Sequence, residues 1–130
     1  MNLVTDTHPL VWYLSDQRKK LGRRAQAALV AAEEGRWTVF VPTTVLLELV
    51  LLEQKGALQI GYQDLRQGLS GRSGFQLLPT LPEDVDEVRA LGILVDPFDR
   101  LIAGTARRLG LPLITRDKRI TDAKVVRTYW

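Results

Sequence analysis

The chain has 130 residues, 45% apolar and 25% charged, with 18 basic residues against 15 acidic and a formal net charge of +3. This is the usage of one folded domain, residues 1–130, and excludes a disordered polyampholyte or two independent cores. The absence of cysteine and the single histidine, His8, exclude disulfides, thiolate metal sites and the usual zinc ligand sets, so any metal site must be built from oxygen.

Asn2 to Thr5 is a short apolar run that predicts a buried strand, followed at Asp6-Thr7-His8-Pro9 by a helix start and a helix over Pro9 to Leu14. Leu21, Ala25, Ala28, Leu29 and Ala32 recur at helical spacing, end at Gly35 and leave basic residues on the other face, as in an amphipathic helix. Trp37 to Val41 has the β-branched and aromatic character of a strand. Pro42-Thr43-Thr44 then opens a helix that carries Val45 to Leu52 and closes near Gly56. A helix from about Tyr62 to Leu69, a strand over Phe75 to Leu78 and a helix from Pro82 through Leu91 follow. Asp96 caps a helix whose first residue is Pro97 and which stops at Gly110. Leu111 to Thr115 reads as a fourth strand and Val125 to Arg127 as a fifth. Strands alternating with helices imply parallel pairing, so the expected fold is a three-layer α/β/α sandwich around a central parallel sheet of four or five strands.

The start of the chain lacks the basic and apolar regions of a signal peptide, and its longest apolar stretch, Val45 to Leu52, is interrupted by Glu48. A cytoplasmic protein without a membrane span is therefore expected.

The acidic residues carry the functional signal. Asp6 leaves the first strand at the end where open α/β sheets place their ligand sites, though capping the helix that follows is an equal reading. Glu48 is the only ionisable group between Pro42 and Leu52 and has Leu46, Leu47, Leu49 and Val50 as neighbours. A helix this apolar is expected to be mostly buried, so the carboxylate needs a cation, a hydrogen-bond partner or a raised pKa; a structural carboxylate or an exposed stripe is the alternative. Asp96 suits an N-cap, and Asp99, inside the first turn, can project beyond the helix end toward a site. Asp117 bears the same relation to its strand as Asp6 does, with Thr115 able to order a bound water; a surface turn in Thr115-Arg116-Asp117-Lys118 is the plain reading. His8 reads as a helix-start residue more than as a base. A phosphoaspartate site would want a second acid beside Asp6 and a lysine on a later strand, and Asp6-Thr7-His8 supplies neither nearby.

If these five acids share one pocket, the 15 acidic residues less five, set against 18 basic ones, leave about +8 on the rest of the surface. Such a balance favours a nucleic-acid partner, although a solvated basic face is the bland alternative.

Taken together, Val4-Thr5-Asp6-Thr7-His8-Pro9-Leu10-Val11-Trp12, Leu47-Glu48-Leu49-Val50 with Lys55-Gly56 following, the run from Asp96-Pro97-Phe98-Asp99-Arg100 to Ala106, and Leu113-Ile114-Thr115-Arg116-Asp117 resemble the four signature blocks of PIN-domain ribonucleases, in order and across nearly the whole chain. Among these the sequence is similar to the VapC-type toxins of type II toxin–antitoxin pairs. The resemblance implies a PIN-like fold and an endoribonuclease in which Asp6, Glu48, Asp99 and Asp117 bind Mg²⁺ or Mn²⁺ and are catalytic, with Asp96 and Thr115 accessory. Arg100, Arg116, Lys118 and Arg119 adjoin these residues and are candidates for RNA contacts, or simple surface charges. The resemblance further implies an RNA substrate, a small cognate antitoxin and a homodimer, for which Leu51, Leu52 and residues 56–69 could supply apolar surface. Two departures stand out: Leu94-Val95 replaces a polar pair common before the Asp-Pro-Phe-Asp block, and the serine common before the helix Glu is absent. The alternative is a PIN-like module that binds RNA or protein without cleaving.

Overall fold

The computed structural model describes residues 1–130. Leu3, Val4 and Thr5 are wholly buried in the central strand β1 (Asn2–Thr5), flanked by β2 (Thr38–Pro42) and by the two-residue β4 (Leu113–Ile114). With β3 (Phe75–Leu78) and β5 (Thr128–Tyr129) at the edges, the order is β3-β2-β1-β4-β5 and every pairing is parallel. Parallel strands buried on both faces read as apolar runs, which is why the central strand β1 was visible in the sequence.

The crossovers are helical: α1 (Thr7–Leu14) and α2 (Arg23–Glu33) join β1 to β2, and α3 (Thr43–Gln54) and α4 (Tyr62–Ser70) join β2 to β3. The chain then returns across the sheet through α5 (Pro82–Val88) and α6 (Pro97–Leu109) to β4, and α7 (Lys118–Ala123) leads to β5. Helices α1, α2 and α4 pack together, as do α5 and α6, whereas α3 touches α1 and α4 on one side and α6 on the other. The direction of winding thus reverses between β1 and β4, and the carboxyl end of that strand pair is the topological switch point where sheets of this kind leave a crevice.

Several expected boundaries move. The first helix starts at Thr7, with Asp6 as its N-cap, and Pro9 sits in the first turn, where its missing N–H costs nothing. The helix from Pro82 ends at Val88 instead of Leu91. The fourth strand is confined to Leu113–Ile114, and the fifth lies at Thr128–Tyr129 instead of Val125–Arg127. Helix α7 and a short 3₁₀ turn at Arg18–Lys20 were not anticipated. The expectation that α3 is mostly buried is also corrected: Thr44, Val45 and Leu49 are buried, but Leu47 is 53% exposed. Gly110 ends α6 at φ +66°, a left-handed conformation that glycine adopts at little cost. No helix is long and apolar enough to cross a membrane.

Candidate active site

Parallel pairing of Val4 with Leu113 and of Thr5 with Ile114 makes Asp6 and Thr115 the next residues out on adjacent strands. The Thr115 hydroxyl donates to Asp6 Oδ2 at 2.7 Å, and the Thr7 N–H donates to Oδ1 at 2.8 Å. Asp6 is therefore both helix cap and cavity wall. Asp117 repeats the arrangement: it caps α7 through the Arg119 N–H at 2.8 Å, and its own N–H donates to Thr115 Oγ1 at 3.0 Å.

The other acids come from two helices that reach this end of the sheet. Asp96 caps α6, its Oδ1 accepting from the N–H groups of Phe98 at 2.8 Å and Asp99 at 3.1 Å, which holds Asp99 in the first turn and directed at the crevice. Glu48 arrives on α3 and accepts a hydrogen bond from the Thr7 hydroxyl. Asp6, Glu48, Asp96, Asp99 and Asp117 line one cavity of about 350 Å³, with His8, Trp12, Arg116 and Arg119 also in its wall.

Crowded and partly dehydrated carboxylates resist ionisation. Burial, then the charges of Asp6, Asp96 and Asp117, push the Asp99 carboxyl up to about 7. Burial also raises Asp6, against the opposing hydrogen bonds from Thr115 and Thr7, and raises Glu48 against that from Thr7. Asp117 is lowered, first by its hydrogen bond with Arg119. The Arg119 guanidinium lies 2.9 Å from Asp117 and 3.7 Å from Asp99 and is the cation that answers the cluster from within the chain. It is mostly solvent-exposed, so its compensation is screened.

The donor set is all oxygen, the chemistry that hard divalent cations such as Mg²⁺ and Mn²⁺ select, and the raised carboxyls on Asp6, Glu48 and Asp99 mark negative charge in want of a cation. As the side chains stand, no three acids are drawn close enough to chelate an ion, because Thr7, Thr115 and Arg119 hold them. The chemistry of the donor set fits such a group, but the side chains as they stand would have to rearrange to hold it.

Arg116 and Arg119 face the cavity, whereas the other two basic candidates do not line it. Arg100 is folded back onto the Leu94 carbonyl, and Lys118 pairs with Asp122 at 2.7 Å. Leu94 is buried and Val95 is 86% exposed, so the departure at this pair exchanges polar character for one core side chain and one surface apolar side chain. Thr7, the partner of Glu48, and Trp12 lie within the first signature block, but the sequence alone assigned neither a role. The signal for Trp12 was its spacing from His8, since residues four apart share a helix face.

The PIN domain family profile matches residues 3–126. No curated protein matches the sequence at a significant level. Among solved structures, a toxin–antitoxin complex from Klebsiella pneumoniae is 23% identical, with 97% of this chain and 96% of that chain covered and a TM-score of 0.65. VapBC2 from Rickettsia felis, bound to a DNA fragment from its promoter, is 14% identical over 100% of both chains, with a TM-score of 0.70. The Mycobacterium tuberculosis toxin VapC20, which cleaves the sarcin–ricin loop, is 14% identical over 98% of this chain and 99% of that chain, with a TM-score of 0.67. At these identities the likeness is one of fold.

Proposed function

Because the chain belongs to the PIN domain family, we propose that it is a divalent-metal-dependent endoribonuclease and the toxin of a toxin–antitoxin pair. The observation that carries this reading is the convergence of five carboxylates on the switch-point cavity, with the Asp99 carboxyl pushed up to about 7 by burial first and then by its acidic neighbours. A site built for structure alone would pair such acids with buried cations.

Asp6, Glu48, Asp99 and Asp117 would hold Mg²⁺ or Mn²⁺, which when bound supplies an acidic water as nucleophile and neutralises charge on the phosphate. Asp96 fixes the first turn of α6 and so aims Asp99. Thr115 anchors the unshared geometry of Asp6 and Asp117 through two hydrogen bonds. Arg116 and Arg119, at the cavity wall, are the nearest groups for RNA phosphates, and Lys118 and Arg100 lie farther out. Release of Arg119 from Asp117 toward a phosphate would free that carboxylate for the ion.

Toxin–antitoxin complexes among the structural neighbours support a small antitoxin as partner. Solvent-exposed Leu47, Val85, Ile93 and Val95 offer apolar surface for it or for a second copy of the chain. The engagement of the acids by Thr7, Thr115 and Arg119 favours one rival, a module that binds without cleaving. Cleavage assays on single-stranded RNA separate the two. Wild type should cut in Mg²⁺ or Mn²⁺ and stop in EDTA, and Asp6→Asn and Asp99→Asn should each lose at least about a hundredfold in rate, with circular dichroism unchanged. Full activity in both variants would contradict the assignment.

A further inference from the structure

One wall of the acid cavity takes no part in holding an ion. Trp12 stands one turn after His8 on α1, half-buried, with the two rings 5.8 Å apart. Its indole borders the acid cavity and also a second hollow of about 150 Å³, where Gln17, Lys20 and Gln59 lie. A cation stands over the ring from each hollow: the Arg116 guanidinium at 5.3 Å and the Lys20 ammonium at 5.8 Å from its centroid. Lys19, the residue before Lys20, is also exposed. The ring is braced from behind, since Trp130 meets it edge-on at 6.2 Å. Trp130 is itself pressed against Gly22 so closely that a Cβ there would lie 2.6 Å from the indole.

A half-buried aromatic ring between two hollows, with an exposed cation over it on each side whose head group can move to a phosphate as a base takes its place, matches a polymer of flat rings joined by anionic links. Stacking on an aromatic side chain is worth about 1–3 kcal/mol per base and tolerates any sequence, because every base has a π-face. Bases inside a duplex have no free face to offer. Resting on the ribonuclease reading for the identity of the polymer, we infer that Trp12 is a stacking platform for an unpaired base beside the scissile phosphate. Arg116 and Lys20 take the phosphates on either side.

The test is binding in EDTA, where nothing is cut, of a fluorescent decauridylate and of a decamer with the same ribose-phosphate chain and no bases. Wild type should bind decauridylate roughly tenfold to a hundredfold more tightly than the abasic decamer. Trp12→Ala should lose that advantage while binding the abasic decamer as wild type does, and Trp12→Phe should keep most of it. Equal wild-type affinity for the two decamers, no binding of decauridylate, or a Trp12→Ala loss that is the same for both would overturn the inference. The comparison on wild type alone requires no variant to fold. Base-dependent binding without cleavage in Mn²⁺ would sink the ribonuclease reading and leave the platform standing; cleavage without base preference would do the reverse.

Discussion

Asp99 concentrates the electrostatic cost of the site in one side chain. An unfolded aspartate ionises near 4, whereas Asp99 in the fold keeps its proton up to about 7, through burial first and then through Asp6, Asp96 and Asp117. Between those values the native state binds more protons than the unfolded chain. Without metal, this group therefore makes stability fall as pH rises from about 4 to about 7, and its penalty is complete above that window. Asp6 and Glu48 act in the same sense, whereas Asp117 and Glu33 have lowered pKa values and contribute stability that is lost only on acidification below the ordinary carboxylate range. Thermal unfolding across this range should show a metal-free melting temperature that drops toward neutrality and a Mn²⁺-induced increment that grows over the same window. An increment independent of pH would contradict the account. At this scale the sequence was most informative for Glu48, whose lone charge among leucines demanded compensation. It could not reveal that Thr7, forty-one residues away, supplies part of it.

Among the elements, α5 and α6 illustrate what local pattern leaves hidden. Asp84 lies in the first turn of the helix expected from Pro82, and it accepts the Leu81 N–H at 2.8 Å. It also lies wholly buried, 2.5 Å from Arg108 on α6. Asp84→Ala removes the cap and strands the guanidinium, which is itself 23% exposed, so a loss of about 2–3 kcal/mol is expected in urea denaturation. A change below about 0.5 kcal/mol would mean that water replaces the carboxylate freely. Helix α7 escaped notice because only Ile120 of its six residues is buried, leaving no apolar period to detect. The fifth strand was displaced because the Val125-Val126 pair mimics a strand, while Lys124 at φ 54° turns the chain and delays pairing to Thr128. The long helices and the central strands were legible because burial on one or both faces writes a period into the sequence. The shortest elements, set by caps and strand pairing, were not.

For the whole molecule, sheet order decides where function can sit. Winding outward from β1 to β3 and then back across to β4 gathers acids from two strand ends and two helices into one crevice. With those acids confined there, the remainder of a chain whose formal net charge is +3 is distinctly basic. RNA binding should weaken with salt, and Arg116→Ala should lower the slope of log affinity against log salt by about 0.7 for a single strand. An unchanged slope would remove Arg116 from the phosphate path. The central claim is that this crevice is a divalent-metal site, and calorimetric titration of Mn²⁺ tests it most directly. The account predicts saturable binding by wild type near pH 8, much weaker binding near pH 5, where protons compete, and loss of binding in Asp99→Asn. Absence of binding by wild type at either pH, or equal affinity in Asp99→Asn, would contradict it.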